Sequence, residues 1–237
     1  MKFRFTGHFA PADFASLSNA VIGLIAISIS LKDPFLASRL ILLSALIDGV
    51  DGIIARKFGG SEIGPHLDSL ADIVSFGVAP IMVIYGIHTQ ITSPIIDGPF
   101  HSISIISILF VSCIILFFSM SIIRLSLYMT QDVKHNHTIG SQTTLSAILI
   151  CSAILTQNFN ILFLLILTLL LSYLMVSSII YPDLLFRDAL LLGIILSLTI
   201  IFPNVLGRAF PYALLILSLA YLILSPSYYW RILSERI

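Results

Sequence analysis

Four aspartates stand within 25 positions where two apolar segments meet: Asp48 and Asp51, then Asp68 and Asp72. Spacings of three and four residues put each pair on one face of a helix. If the two helices are antiparallel neighbours, the pairs face each other, and carboxylates so close repel strongly unless a divalent cation neutralises them. Oxygen-only donors suit a hard ion, Mg2+ or Mn2+, of the kind usually shared between a few carboxylates and substrate phosphates. Gly52 and Ala55 clear space beside the acids for a phosphate or nucleotide to approach the backbone, although small residues also serve helix packing in membranes. Arg56 adds a planar, permanently charged fork for a phosphate. The bland alternative, a set of solvated helix-end carboxylates, fits poorly in a chain of which only 10% is charged.

The full stretch reads Asp48-Gly49-Val50-Asp51-Gly52-Ile53-Ile54-Ala55-Arg56, a seven-residue spacer, then Gly64-Pro65-His66-Leu67-Asp68-Ser69-Leu70-Ala71-Asp72. It resembles the D-x2-D-G-x2-A-R-x7-8-G-x3-D-x3-D signature of the CDP-alcohol phosphatidyltransferase family, with all eight fixed positions present. The following Ile73-Val74-Ser75-Phe76-Gly77-Val78-Ala79-Pro80 is similar to the run found in the serine-accepting branch, the phosphatidylserine and archaetidylserine synthases. The resemblance covers roughly residues 12 to 145, and the remainder only in hydropathy.

The elements that must position these residues are membrane helices. With 58% hydrophobic residues and a mean hydropathy of +1.06, the chain is too apolar for an ordinary soluble domain. The expectation is an all-α, polytopic transmembrane helical bundle in one domain, 1–237, since no linker or low-complexity stretch divides it. A formal net charge of zero gives no reason to expect a nucleic acid partner. Cys113 and Cys151 lie in apolar runs without C-x-x-C spacing and read as buried thiols.

A span needs about 20 residues. Candidates fall near 14–31, 35–57, 66–88, 102–129, 143–156, 159–180, 186–202 and 209–225, the fifth and seventh being short. The expectation is a six-helix family core with eight spans in total, within a range of six to eight. Residues 1–12 carry Lys2 and Arg4 without a signal-peptide cleavage pattern and read as a cytoplasmic tail, with a short interfacial helix around Pro11 to Ser18. With the N-terminus inside, nine of the twelve Lys and Arg residues fall on the inner side, and Lys32, Arg39 and Arg208 fall outside. The aspartates then lie at the cytoplasmic face of the cell membrane. Asp48 is eight residues, or roughly 12 Å of helix, before Arg56, so the acids sit below the headgroup level.

What the resemblance implies is a reaction. A CDP-linked lipid, CDP-diacylglycerol or CDP-archaeol, is bound through its pyrophosphate by a metal cluster, an acceptor hydroxyl attacks the lipid-side phosphorus, and CMP leaves. By position, Asp48, Asp51, Asp68 and Asp72 are the implied metal ligands, and Asp72 the base for the hydroxyl proton. Gly52, Ala55 and Arg56 hold the CDP portion, and Gly64 shapes the connection into the third helix. Spacing leaves one or two ions open. Asn19 is either a residue facing the nucleotide or a polar helix start. Relatives with this signature are homodimers, and one is expected here.

An acceptor bearing a phosphate, glycerol phosphate or inositol phosphate, would demand a cluster of Arg and Lys. The inner cations near the site are few, Arg124, Lys134 and Arg187, which favours L-serine, whose carboxylate one arginine can pair; Arg124 is that candidate, or else a charge anchor at the membrane face. Two departures from the branch's pattern bear on the acceptor. R-L-A-R-F is here Arg124-Leu125-Ser126-Leu127-Tyr128, and the F-x-G-L-P-x-P-A element appears as Thr138-Ile139-Gly140-Ser141-Gln142-Thr143-Thr144, with neither proline. His66 stands beside the acids as a substrate contact or a helix start, and His135 and His137 read as solvated loop. Ile-rich runs lean toward an ether-linked archaeal donor. A transporter would spread its acids through the membrane depth and repeat internally; here the acids are gathered in one helix pair, without a repeat.

Overall fold

Helix α1 spans Pro11–Ile29, and its start is encoded locally. Pro11 sits in the first turn, where a missing N–H costs nothing, and the Asp13 carboxylate accepts from the Ala10 N–H at 2.7 Å. The expected interfacial helix and first span are therefore one helix. Asp33 plays the same part for α2 (Pro34–Phe58), accepting the Leu36 N–H at 2.9 Å. The computed structural model describes residues 9–58, 60–92, 105–130, 137–182 and 186–234.

The third rod is continuous but not uniform: α3 (Gly64–Asp72), a π-helical turn (Ile73–Val78) and α4 (Ala79–Thr92). Pro80 explains the change of pitch. It has no N–H for the Phe76 carbonyl and its ring crowds that carbonyl, so the turn before it widens rather than kinks. There follow α5 (Ile105–Thr130), α6 (Thr143–Leu155), α7 (Ile161–Met175), α8 (Phe186–Ile201), a 3₁₀ turn (Val205–Gly207) and α9 (Ala209–Ser234). These rods occupy the eight apolar runs. Among the described residues, four stretches are long and apolar enough to cross a membrane, Pro11–Ile29, Gly64–Gln90, Ile108–Thr130 and Val205–Pro226, and α6, α7 and α8 carry shorter apolar stretches. The chain is a polytopic helical membrane protein.

One element departs from the all-α expectation. Residues read as a hydrophilic loop form β1 (His137–Ile139), which pairs antiparallel with β2 (Ile180–Pro182), the latter cut from the end of the run near 159–180. Tyr181 is buried in this ribbon.

Hydrogen bonds between connections sort the rods into two ends. At one end Ser61 meets Asp13, Arg124 meets Ser141, and Gly140 donates to Ile179. At the other, Gln90 donates to the Leu31 and Lys32 carbonyls, Arg39 to Ile200, and Arg208 to Thr156. Successive rods thus run antiparallel, and Lys32, Arg39 and Arg208 share the end away from the Asp13–Ser61 contact.

Helix α6 is the central pillar: Thr143 and every residue from Leu145 to Leu155 are buried. At 13 residues it is about 20 Å long, too short to span alone but walled by α2, α7 and α9. This answers why the fifth apolar run is short. Ile41, Leu42, Phe76, Phe117, Leu149 and Leu164 fill the core around it, whereas Phe14, Leu24, Ile166 and Ile216 face outward, as lipid-facing positions must. On α1, Gly23 lies so close to Ser75 that a Cβ would collide with the serine backbone and side chain. The small residue is what lets α1 seat against the π turn.

Candidate active site

Asp48 projects from α2, and Asp68 and Asp72 from α3. The structure brings these three together: one carboxylate oxygen of each lies within 4.8 Å of the others. The helical spacing of Asp68 and Asp72 and the packing of α1, α2 and α3 on one another achieve this. At such separations each pair of charges repels by about 3.5 kcal/mol at an effective dielectric of about 20. Asp72 is buried and the other two are half-buried, so solvent only partly relieves that repulsion.

Asn19 of α1 completes the cluster. It is fully buried, and its Nδ2 donates to Asp72 Oδ1 at 3.2 Å. Its own backbone carbonyl accepts from Ser75 Oγ at 2.9 Å and from Ser44 Oγ at 3.3 Å, so α2 and the π turn both hold it in place. Its Oδ1 has no hydrogen-bond partner among the described residues although it is buried. Orphaned amide oxygens are uncommon, and this one belongs to a side chain bonded to an acid of the cluster. An oxygen-only donor set of this kind fits a hard divalent cation.

The connection from α2 into α3 is pinned from α1. Asp13, 1% exposed, accepts from Ser61 Oγ at 3.0 Å while its second oxygen takes the Ala10 N–H. A Cβ on Gly64 would come within 3.1 Å of Asp13 Oδ1, which shows why a residue without a side chain belongs there. The motif glycine thus fits against a carboxylate that nothing in the motif announces. The signal for Asp13 was available as a helix start, Pro11 followed by an acid, but not its second bond.

Arg124, near the C-terminal end of α5, is 3% exposed. Its Nε donates to the Ser141 carbonyl at 3.3 Å, and its guanidinium lies 5.7 Å from the Tyr128 ring centre, within cation–π range. From α6, Thr144 Oγ1 lies 3.4 Å from Asp48 Oδ2, a contact missed in the sequence. Gly52 continues α2 one turn beyond Asp48 and is half-buried. The side chains of Asp51, Ala55 and Arg56 lie outside the described residues, as do Lys134, His135 and the side chain of Arg187. Glu62 and His66 are exposed. Cys113 and Cys151 are free and buried, as expected.

Comparison with known proteins adds relatives to this geometry. A sequence profile described as CDP-alcohol phosphatidyltransferase matches residues 10–195. The chain is similar to an archaetidylserine synthase of Methanothermobacter thermautotrophicus, 33% identical over 183 residues, which cover 76% of this chain and 72% of that protein. It is also similar to a CDP-diacylglycerol–serine O-phosphatidyltransferase of Bacillus subtilis, 32% identical over 70% of this chain and 86% of the other. A protein of the same name in Methanocaldococcus jannaschii is 41% identical over 75 residues, 31% of this chain and 34% of the other.

Proposed function

Because this chain belongs to the CDP-alcohol phosphatidyltransferase family, we propose that it transfers the phosphatidyl or archaetidyl group of a CDP-linked lipid to the hydroxyl of L-serine and releases CMP. The observation that carries the reading is the meeting of Asp48, Asp68 and Asp72 within 4.8 Å, with Asn19 bonded to Asp72. Two relatives named for serine as acceptor, each matched over more than two thirds of its length, support the choice of acceptor.

Asp48, Asp68 and Asp72, together with Asp51, would hold Mg2+ or Mn2+. When bound there, a divalent ion neutralises the pyrophosphate oxygens and stabilises the charge that develops at phosphorus. The chain's own residues do the rest. Asp72 takes the proton of the serine hydroxyl as the new O–P bond forms at the lipid-side phosphorus and the P–O bond to CMP breaks. Asn19 keeps the Asp72 carboxylate turned toward the reacting group by donating to one of its oxygens. Gly52 and Ala55 let the nucleotide lie against α2, and Arg56 pairs one of its phosphates. Arg124, at the same end of the bundle, pairs the serine carboxylate.

The site opens to the cytoplasm in this reading, with the protein in the cell membrane. Of the twelve Lys and Arg residues only Lys32, Arg39 and Arg208 belong to the opposite end, and the excess that the sequence assigns to the site's side supports that orientation, because positive residues concentrate on the inner side. A homodimer and an ether-linked donor belong to the same proposal. The test is acceptor-dependent CMP release by purified protein supplied with CDP-diacylglycerol or CDP-archaeol and a divalent cation.

A further inference from the structure

We propose that Thr144 is a positioning residue for Asp48, setting the affinity of the acidic cluster for its cation; this rests on the metal-binding reading above. Thr144 stands in the first turn of α6 and reaches across 96 positions of sequence to place Oγ1 3.4 Å from Asp48 Oδ2. Hydroxyls in helices commonly return to the carbonyl four residues back, as Ser146 does to Gln142 at 3.2 Å. Thr144 instead donates to an acid of the cluster.

The hydroxyl is presented by a fixed segment. Gly140 N donates to the Ile179 carbonyl at 2.7 Å and Ser141 N to the Leu174 carbonyl at 3.0 Å. Arg124 Nε holds the Ser141 carbonyl at 3.3 Å, and β1 pairs with β2 immediately upstream. Below Thr144, α6 is packed on all sides. The two-stranded ribbon, which also packs against α9, therefore helps to fix the height and rotation of the α6 start relative to α2.

Its effect follows from how carboxylate ligands behave. A carboxylate free to rotate must be ordered when it binds a cation, whereas one already held by a hydrogen bond presents its lone pairs in place. Partners of ligating groups are typically worth about 10- to 100-fold in metal affinity.

The experiment compares the full-length parent with T144V, which keeps the shape and loses the donor, and T144S, which keeps the donor. Mn2+ binding to each detergent-purified protein is measured directly from the electron paramagnetic resonance signal of free Mn2+. T144V should bind Mn2+ about tenfold more weakly, with T144S close to the parent. The half-saturating Mn2+ concentration for turnover should rise in parallel, while KM for serine at saturating Mn2+ and the metal-free unfolding temperature stay unchanged. Should T144V fail to fold, T144A takes its place. Parent-like Mn2+ affinity in the donorless variant overturns the role of Thr144 and leaves the metal site standing. A parent that binds no Mn2+ overturns both.

Discussion

Asn19 and Asp72, 53 positions apart, are joined by an Nδ2-to-Oδ1 hydrogen bond of 3.2 Å inside the bundle. A bond from a neutral donor to a charged acceptor is worth about 1.5–3 kcal/mol, and this one constrains the carboxylate assigned as base. Asn19→Leu should therefore lower kcat by roughly 10- to 100-fold, with a much smaller change in KM for the CDP-lipid. CMP release at varied donor concentration makes the distinction. A large rise in donor KM at unchanged kcat would return Asn19 to the role of nucleotide contact.

Asp72 itself is tested by Asp72→Asn, which preserves size and removes both charge and basicity. Turnover should disappear while CDP-lipid binding, followed by isothermal titration in detergent, persists. Unchanged turnover would remove Asp72 from the chemistry.

Arg124 divides acceptor binding from donor binding. Loss of a charged, hydrogen-bonded partner costs about 1.5–3 kcal/mol, so Arg124→Gln should raise KM for serine by roughly 10- to 100-fold and leave KM for the CDP-lipid near the parent value. Because Arg124 also holds the Ser141 carbonyl, Arg124→Lys is the companion variant: it restores charge without the planar fork and should recover only part of the loss. Equal effects on both substrates would mark Arg124 as a structural anchor.

Gly23 tests the packing that seats Asn19. A methyl group there meets Ser75 head on, and overpacking of this kind costs about 1–3 kcal/mol. Gly23→Ala should lower the unfolding temperature in a thermal size-exclusion assay and reduce activity with it, and a parent-like melting curve would contradict the close approach of α1 and the π turn.

Much of this site was legible in the sequence because its chemistry is local. Asp68 and Asp72 share a face by helical spacing alone, and an acid in an apolar chain advertises itself. Rod boundaries at Asp33-Pro34, Gln157-Asn158 and Pro203-Asn204 were equally plain, since proline, polar clusters and capping acids end or begin helices. What escaped notice joins distant positions through packing. Thr144 with Asp48, Asp13 with Ser61, and Ser44 and Ser75 with the Asn19 carbonyl involve hydroxyls and an acid whose local spacing shows no pattern. The ribbon of β1 and β2 was invisible for a different reason: three-residue strands are too short for an alternation to be read. The helix from Pro11 and the span near 14–31 were read as two elements because hydropathy was weighed above continuity, whereas Pro11 and Asp13 begin a single helix.

The central claim is that a cation-loaded cluster of aspartates moves a lipid phosphoryl group from CDP to serine. It is tested most directly by supplying purified protein with CDP-archaeol or CDP-diacylglycerol, Mn2+ and radiolabelled L-serine, alongside parallel reactions with glycerol phosphate and inositol phosphate. The account predicts label in the lipid phase from serine alone, matched by equimolar CMP, and abolished by chelation of the metal. Incorporation from glycerol phosphate or inositol phosphate with none from serine would contradict the acceptor, and full activity in the presence of chelator would contradict the cluster.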